Sequence, residues 1–253
     1  MLLGIGGRMK QASVRLENLT LSYRRHPTVH HVSGIFEPGS LTAITGPNGA
    51  GKSTLLRAIA GTMRPDSGHI TIENALPSAI AYLPQAMEIE HDFPFLVLPM
   101  VATGLWNKTG AWRAIDDAHK EKAMRALAEV KLKGFAGRRL GSLSAGQFQR
   151  ALFARLLVQD APLILLDEPF AAIDAETTAH LLEIIHRWHK EKRTVICVLH
   201  DLEQIKQHFP ECLLLARECV AWGDSRKVLA AANLKKARHF PEAWEAEAEE
   251  CAL

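Results

Sequence analysis

The stretch GPNGAGKST (46–54) decides the fold of this chain. It fits the pattern GxxxxGK[ST], follows the apolar run LTAIT and opens the helical sequence KSTLLRAIA. Backbone N–H groups of such a glycine-rich loop wrap a phosphate, and the helix adds the positive end of its dipole. Lys52 is expected to neutralise phosphate oxygens, and the Ser53 hydroxyl to reach Mg²⁺. The predicted nucleotide-binding residues are Gly46, Asn48, Gly49, Ala50, Gly51, Lys52, Ser53 and Thr54.

Four apolar runs each end in a polar residue, and together they predict a parallel sheet. The runs are LTAIT before Gly46, AIAYLP before Gln85, LILL before Asp167 and TVICVL before His200. Continuous apolar runs that alternate with helical stretches are typical of buried parallel strands. The carboxyl ends of such strands gather at one edge, where ligands bind, so these residues are expected at one site. The predicted fold class is α/β, with a P-loop NTPase (RecA-like) core.

Two further parts are expected beside this core. VRLENLTLSY (14–23) alternates enough for a half-exposed strand, which predicts an antiparallel β subdomain. Residues 111–131 hold apolar side chains at helical spacing among charges, which predicts an inserted helical subdomain. The predicted division is an N-terminal extension (1–12), the nucleotide-binding α/β core (13–85 and 160–223), the helical subdomain with the sequence LSAGQ (86–159) and a C-terminal helical and acidic tail (224–253).

The composition excludes several classes of protein. The 30 Lys and Arg against 28 Asp and Glu leave the chain near neutral, so no nucleic acid is expected as a partner. The four cysteines lack CxxC spacing, which argues against a zinc ribbon or a disulfide framework. The longest uncharged run, 93–107, is too short to span a bilayer. The first ten residues make a poor signal peptide, and Met1 and Met9 both stay open as the start.

LILLDEP (163–169) supplies the carboxylates that the phosphate loop lacks. Asp167, at the exit of a strand, is expected to hold Mg²⁺, and Glu168 to polarise the attacking water. Adjacent carboxylates at the end of an apolar strand are costly to bury without a cation. The alternative, a turn with two solvated acids, is disfavoured once Lys52 and Ser53 are accepted.

SLSAGQFQR (142–150) offers no general base and no metal ligand. Ser144 and Gln147 fit a capping box, with serine at the N-cap and glutamine three residues on. Taken alone, the stretch is a helix start that directs N–H groups and a positive dipole end outward. Taken alone, a histidine such as His200 after an apolar run is more often a packed imidazole, and Gln85 after Leu-Pro is a weaker signal still, since it fits any loop.

From about residue 13 to 223 the chain resembles the ATP-binding subunits of ABC transporters. The motifs that carry the resemblance are, in order, Tyr23, GPNGAGKST, Gln85, LSAGQ, LILLDEP, Asp174 and His200. The resemblance implies a head-to-tail homodimer in the ATP-bound state, with two ATP molecules between the subunits. Each ATP would lie between the phosphate loop of one chain and Ser144, Gly146 and Gln147 of the other.

The same resemblance implies a role for each remaining residue. Tyr23 would stack on adenine, and Asp174 would link the two ATP sites. Gln85 would sense the γ-phosphate and the membrane partner, and would join Ser53 and Asp167 at the Mg²⁺ site. The implied catalytic residues are Glu168, His200 and Gln85, of which His200 would hold the γ-phosphate.

Two positions depart from the family pattern. The usual LSGGQ reads LSAGQ, and because the serine, the second glycine and the glutamine remain, we expect Ala145 to be tolerated. The loop before Asp174 reads AAI (171–173), where the family often has a serine. Without that serine, the resemblance does not establish one of the hydrogen bonds between the subunits.

A subgroup of the family is similar to this chain in two further stretches. DFPFLVLPMVATG (92–104) resembles the sequence DFPxTVxDVVxMG of zinc and manganese importers, with Leu96 and Pro99 in place of Thr and Asp. Residues 220–237 also resemble theirs. The similarity implies an importer subunit for Zn²⁺ or Mn²⁺, peripheral on the cytoplasmic face of the inner membrane. Integral membrane permease subunits would dock near residues 86–105, and a substrate-binding protein would act indirectly.

Other readings of the chain stay open at this point. Residues 93–107 fit the core of a helical subdomain as well as a partner groove. A soluble ABC ATPase acting on nucleic acid or ribosomes is an alternative, although such proteins usually carry a coiled-coil insertion or two cassettes. An ABC subunit for a non-metal substrate is another. NKTG (107–110) resembles the guanine-reading NKxD of GTPases, but Gly110 removes the carboxylate.

Overall fold

The computed structural model describes residues 11–23, 26–85, 95–106 and 116–238. The strands in these ranges are β1 (Ser13–Tyr23), β2 (His26–Phe36), β3 (Leu41–Thr45), β4 (Ser67–Glu73), β5 (Ile80–Leu83), β6 (Leu163–Asp167), β7 (Thr194–Val198), β8 (Glu211–Ala216) and β9 (Glu218–Asp224). The helices are α1 (Lys52–Ile59), α2 (Val97–Ala102), α3 (Asp117–Glu129), α4 (Ala145–Gln159), α5 (Ala175–Lys190), α6 (Leu202–His208), α7 (Ser225–Val228) and α8 (231–238).

A six-stranded sheet in the order β5-β6-β7-β3-β8-β9 forms the centre of the molecule. All neighbouring pairs are parallel except β8 and β9. Every residue of β3, β6 and β7 is buried, which explains why these strands are continuous apolar runs. The four predicted strands are adjacent in this sheet, so the residues that follow them meet at one edge. The predicted P-loop NTPase core is confirmed.

A second sheet, in the order β2-β1-β4, is antiparallel as expected. Val14 and Leu16 are buried, and the alternation then shifts so that Leu19 is buried as well. The shift occurs at a bulge where Asn18 has a φ angle of 49°. A Cβ atom at Gly68 would lie 2.3 Å from the Asn18 carbonyl oxygen, so glycine allows β4 to approach the bulge.

Helices α2, α3 and α4 pack together as the helical part of the chain. Val101, Leu127 and Phe148 lie in their shared core. The helix expected in 111–131 is α3, which begins after the N-cap residue Asp116; residues 111–115 lie outside the described residues. These three helices separate β5 from β6 along the chain, as the inserted subdomain predicts.

The ends of the chain bear on the predicted boundaries. Ala12, placed in the N-terminal extension, is fully buried, and its carbonyl oxygen accepts a hydrogen bond from Thr194 Oγ1. Strand β9 ends at Asp224, one residue beyond the predicted core, and α7 and α8 follow. The acidic sequence 242–250 lies outside the described residues. No helix in the described ranges is long and apolar enough to cross a membrane.

Candidate functional site

A glycine-rich loop joins β3 to α1. Gly46, Gly49 and Gly51 have φ angles of 150°, 76° and 88°. A Cβ atom at Gly46 would lie 1.8 Å from the Leu215 carbonyl oxygen, and one at Gly51 would lie 2.3 Å from that of Thr28. Close backbone approach therefore requires glycine at two positions. The space beside Gly49 is open, which leaves room for a ligand over the loop.

Lys52 opens α1 with its side chain folded into this loop. Its Nζ donates hydrogen bonds to the carbonyl oxygens of Gly46 and Pro47, at 2.9 and 2.7 Å. The pKa of Lys52 lies below its ordinary value, because the effect of burial outweighs the opposite effect of the Glu168 and Asp167 carboxylates. The N-cap of α1 is a glycine, and the first turn holds no acidic residue. The N–H groups and the positive dipole end of α1 are therefore available to an anion such as phosphate.

Asp167 ends β6 and is fully buried. Its Oδ1 accepts a hydrogen bond from Ser53 Oγ at 3.1 Å. A carboxylate and a hydroxyl are oxygen ligands of the kind that Mg²⁺ takes beside substrate phosphates. Because a buried carboxylate is costly without a positive partner, this pair fits a divalent cation next to the phosphate loop.

Glu168 lies at the centre of a three-residue contact. Its Oε1 accepts a hydrogen bond from Gln85 Nε2 at 2.8 Å and lies 2.7 Å from His200 Nε2. A carboxylate only accepts, so the ring hydrogen of His200 in this contact is on Nε2. The Glu168 backbone has a φ angle of 48°, and its N–H donates to the Val198 carbonyl oxygen at 3.2 Å. Sequence-distant residues from three strand ends thus converge on one oxygen.

One pocket of roughly 260 Å³ gathers these groups. It is lined by Thr28, Asn48, Gly49, Ala50, Gly51, Lys52, Ser53, Thr54, Gln85, Glu168 and His200. Sequence reasoning missed Thr28, because nothing in the first half of β2 marks it as part of a site. Tyr23 is the last residue of β1, and its side chain lies outside the described residues. The predicted roles of all these residues stay predictions.

The LSAGQ sequence (143–147), hereafter the signature segment, leads into α4. Gln147 N–H donates to Ser144 Oγ at 3.3 Å, and Ser144 N–H donates to Gln147 Oε1 at 3.1 Å. The predicted capping box is therefore confirmed. A second pocket, which we call the signature pocket, is lined by Ser144, Ala145, Gly146, Gln147, Arg150, Ala172, Ile173 and Asp174. It shares no lining residue with the first pocket, the one around Lys52 and Glu168, which we call the nucleotide pocket.

Asp174 belongs to the signature pocket and caps α5. Its side chain accepts hydrogen bonds from Thr177 N–H at 2.9 Å and from Thr177 Oγ1 at 2.8 Å. These two hydrogen bonds lower the pKa of Asp174. A Cβ atom at Gly146 would lie 2.9 Å from the Ala172 carbonyl oxygen, so the signature segment touches the loop before Asp174.

Comparison with known sequences shows the family to which this chain belongs. The model of the ABC transporter family matches residues 29–171. A "probable metal transport system ATP-binding protein" of Chlamydia pneumoniae is 37% identical over 85% of this chain and 84% of its own length. The chain belongs to the ABC transporter family. It is thus an ATPase of the ABC type, and the predicted family and fold are confirmed.

Two further relatives and two solved structures of ABC proteins support this assignment. The zinc transport system ATP-binding protein of Treponema pallidum is 36% identical over 83% of this chain and 81% of its own length. The manganese transport system ATP-binding protein of Listeria innocua is 35% identical over 83% and 89%. An ABC transporter in an inward-facing conformation has 29% identity and a TM-score of 0.78, over 91% of this chain and 89% of that chain. A dimeric ATP-binding cassette bound to ADP and Pi has 25% identity and a TM-score of 0.75, over 84% and 99%.

Proposed function

We propose that this chain is the ATP-hydrolysing subunit of an importer for Zn²⁺ or Mn²⁺ and that it works as a homodimer. One observation carries the dimer: the nucleotide pocket and the signature pocket of a single chain share no residue. We infer that any ATP held by the signature segment would be the ATP of a second chain. In that arrangement ATP closes the dimer, and hydrolysis opens it again.

The chemistry follows from the groups around the nucleotide pocket. Lys52 and the N–H groups at the start of α1 would bind and orient the β- and γ-phosphates. Ser53 and Asp167, with Gln85, would hold Mg²⁺, which supplies a Lewis acid for the phosphate oxygens. These residues would act before any proton moves, because they fix the position of the γ-phosphate.

Glu168 would act as the general base. Gln85 and His200 both reach its Oε1, so Oε2 is the oxygen available to accept a proton from the attacking water. His200 carries a hydrogen on Nε2 and would transfer this hydrogen bond to the γ-phosphate when ATP binds. Gln85 would orient the water and would report the nucleotide to the residues that follow it along the chain.

The membrane partner would bind near residues 86–105, of which 95–105 are described. In and beside this segment, Leu96 is 41% exposed and Trp106 is 42% exposed. Exposed apolar side chains of this size fit a groove that receives a helix of an integral membrane permease. The chain would then lie on the cytoplasmic face of the inner membrane, and a substrate-binding protein would deliver the cargo to the permease.

The cargo is inferred from the relatives, whose names specify zinc, manganese or metal transport. Deletion of the gene, followed by growth under chelation with single metals added back, tests this part. Rescue by Zn²⁺ or Mn²⁺ alone is expected. Indifference to every metal would remove the metal cargo but leave the ATPase intact. Nucleic-acid-stimulated turnover without any co-purifying membrane protein would contradict the transport role itself.

A further inference from the structure

Gln149 is a buried polar side chain that the nucleotide pocket does not use. It lies in the second turn of α4 and is 0% exposed. Its Nε2 donates a hydrogen bond to the carbonyl oxygen of Pro169, the residue after Glu168, at 3.1 Å. Its Oε1 is also buried and accepts no hydrogen bond from the part of the chain that the structure describes. Rotating the amide would bring two oxygen atoms together, so the Pro169 carbonyl fixes its orientation.

The loop between Glu168 and Asp174 is held against α4 at two points. Gln149 binds it at Pro169, and Gly146 touches it at Ala172. The loop has a compact course, because Glu168 and Ala172 both have left-handed backbone angles (φ 48° and 58°). Such angles persist only where the surroundings impose them, so we expect loss of a contact to change the position of Glu168.

We propose that Gln149 is a positioning residue that couples the signature segment to the catalytic carboxylate of the same subunit. The ATP of one subunit presses on the start of α4 in the other. Gln149 lies in the second turn of the same helix and is bonded to Pro169, so it carries this contact to the loop and sets the position of Glu168. Each ATP would therefore help to prepare the site that it does not occupy. This inference rests on the proposed homodimer.

The chain offers a matched control on the same helix. Gln159 is 7% exposed, its Nε2 donates to the Ile80 carbonyl oxygen at 2.8 Å, and its Oε1 likewise accepts no hydrogen bond from the described residues. Ile80 is the first residue of β5, whereas the nucleotide pocket lies beyond the other end of that strand. The two glutamines therefore make the same kind of buried hydrogen bond to a backbone carbonyl oxygen, but Gln159 is remote from Glu168.

The test compares Gln149→Leu with Gln159→Leu in steady-state ATP hydrolysis by the purified full chain. Both variants are expected to lower the melting temperature by a similar few degrees, about 2–4 °C. Only Gln149→Leu is expected to lower kcat, by about tenfold to a hundredfold, with the KM for ATP nearly unchanged. If the branched side chain prevents folding, Gln149→Met provides an unbranched replacement of similar length.

Two outcomes would overturn the role of Gln149. The first is a loss of kcat that is the same for both variants, which would make the residue merely structural. The second is wild-type kcat in the Gln149 variant. Dimer formation with ATP and Mg²⁺ is measured in parallel in a Glu168→Gln background, with and without Gln149→Leu. A monomeric Glu168→Gln protein refutes the proposed dimer, whereas an intact dimer with equal kcat losses refutes only the coupling.

Discussion

The nucleotide pocket and the signature pocket differ in how much of a ligand site each contains. The first brings the Lys52 ammonium and the Glu168 carboxylate together with a glycine-rich loop, and the buried Asp167 contacts its lining residue Ser53, so these groups fit a nucleotide. The second offers a capped helix start with an exposed serine and alanine. It lacks the wrapped loop of the first. The difference supports the proposal that the signature segment completes a site in a second chain, and this proposal predicts different consequences for damage to the two pockets.

The largest effect is expected for Lys52→Ala. Its ammonium is the one that the phosphate loop encloses, so its loss should reduce ATP hydrolysis by about a thousandfold or more. Phosphate release at saturating ATP measures this. The fold should survive, because removal of a buried cation also removes its desolvation cost. Retained turnover would contradict the site, and exposed Lys190→Ala serves as the control.

A smaller loss is expected for Gly146→Asp. The new carboxylate would meet the Ala172 carbonyl oxygen and would repel the phosphates of the other subunit. ATP hydrolysis should fall by about a hundredfold, while binding of nucleotide to the single chain is unchanged. Titration with a fluorescent ATP analogue measures nucleotide binding separately from ATP hydrolysis. Gly137 is exposed with open space around it, so Gly137→Asp should have no effect. Weakened binding in the Gly146 variant would mean that the pockets are not independent.

Ser144→Ala is expected to have a moderate effect on activity. The substitution removes an N-cap, which costs about 0.5–2 kcal/mol of stability. Asp116→Ala removes the N-cap of α3 at a similar cost and lies outside both pockets. The two variants should therefore have similar urea midpoints. Only Ser144→Ala should lower ATP hydrolysis, by several-fold. Equal activities would reduce the signature serine to a helix cap.

Asp174→Ala should produce the smallest effect, which is a loss of folding stability that depends on pH. Hydrogen bonds from Thr177 lower the pKa of Asp174 in the folded chain, so the ionised carboxylate favours folding. This contribution is present above the ordinary value of 3.8 and is lost as the pH falls through the lower, folded-state pKa. Urea midpoints of the variant and the wild type should differ at pH 7 and converge toward pH 3. A difference that grows with acid would contradict the cap.

The sequence predicts the nucleotide pocket well because its residues are tied to strand ends. Gly46, Gln85 and His200 follow buried parallel strands and Asp167 ends one, and parallel strands order such residues at one edge. Glu168 follows directly from Asp167. Each residue is found from its own apolar run, and the general rule for parallel sheets is enough to bring them to one edge.

The parts that the sequence does not predict depend on packing between distant segments. Strand β2 has no clean apolar alternation, and it is fixed partly by Trp222, whose ring would lie 2.4 Å from a Cβ atom at Gly34. The bond from Gln149 to Pro169 likewise joins two elements that no period in the sequence relates. Both features follow from tertiary contacts, so only the structure reveals them.

Light scattering of Glu168→Gln with ATP and Mg²⁺ tests the central claim that the signature segment completes the site of a second chain. The slow variant should hold ATP and form a dimer of about twice 28.0 kDa. Adding Gly146→Asp should return it to a monomer, and adding Gly137→Asp should not. A protein that stays monomeric without either addition, or a dimer indifferent to Gly146→Asp, would contradict the account.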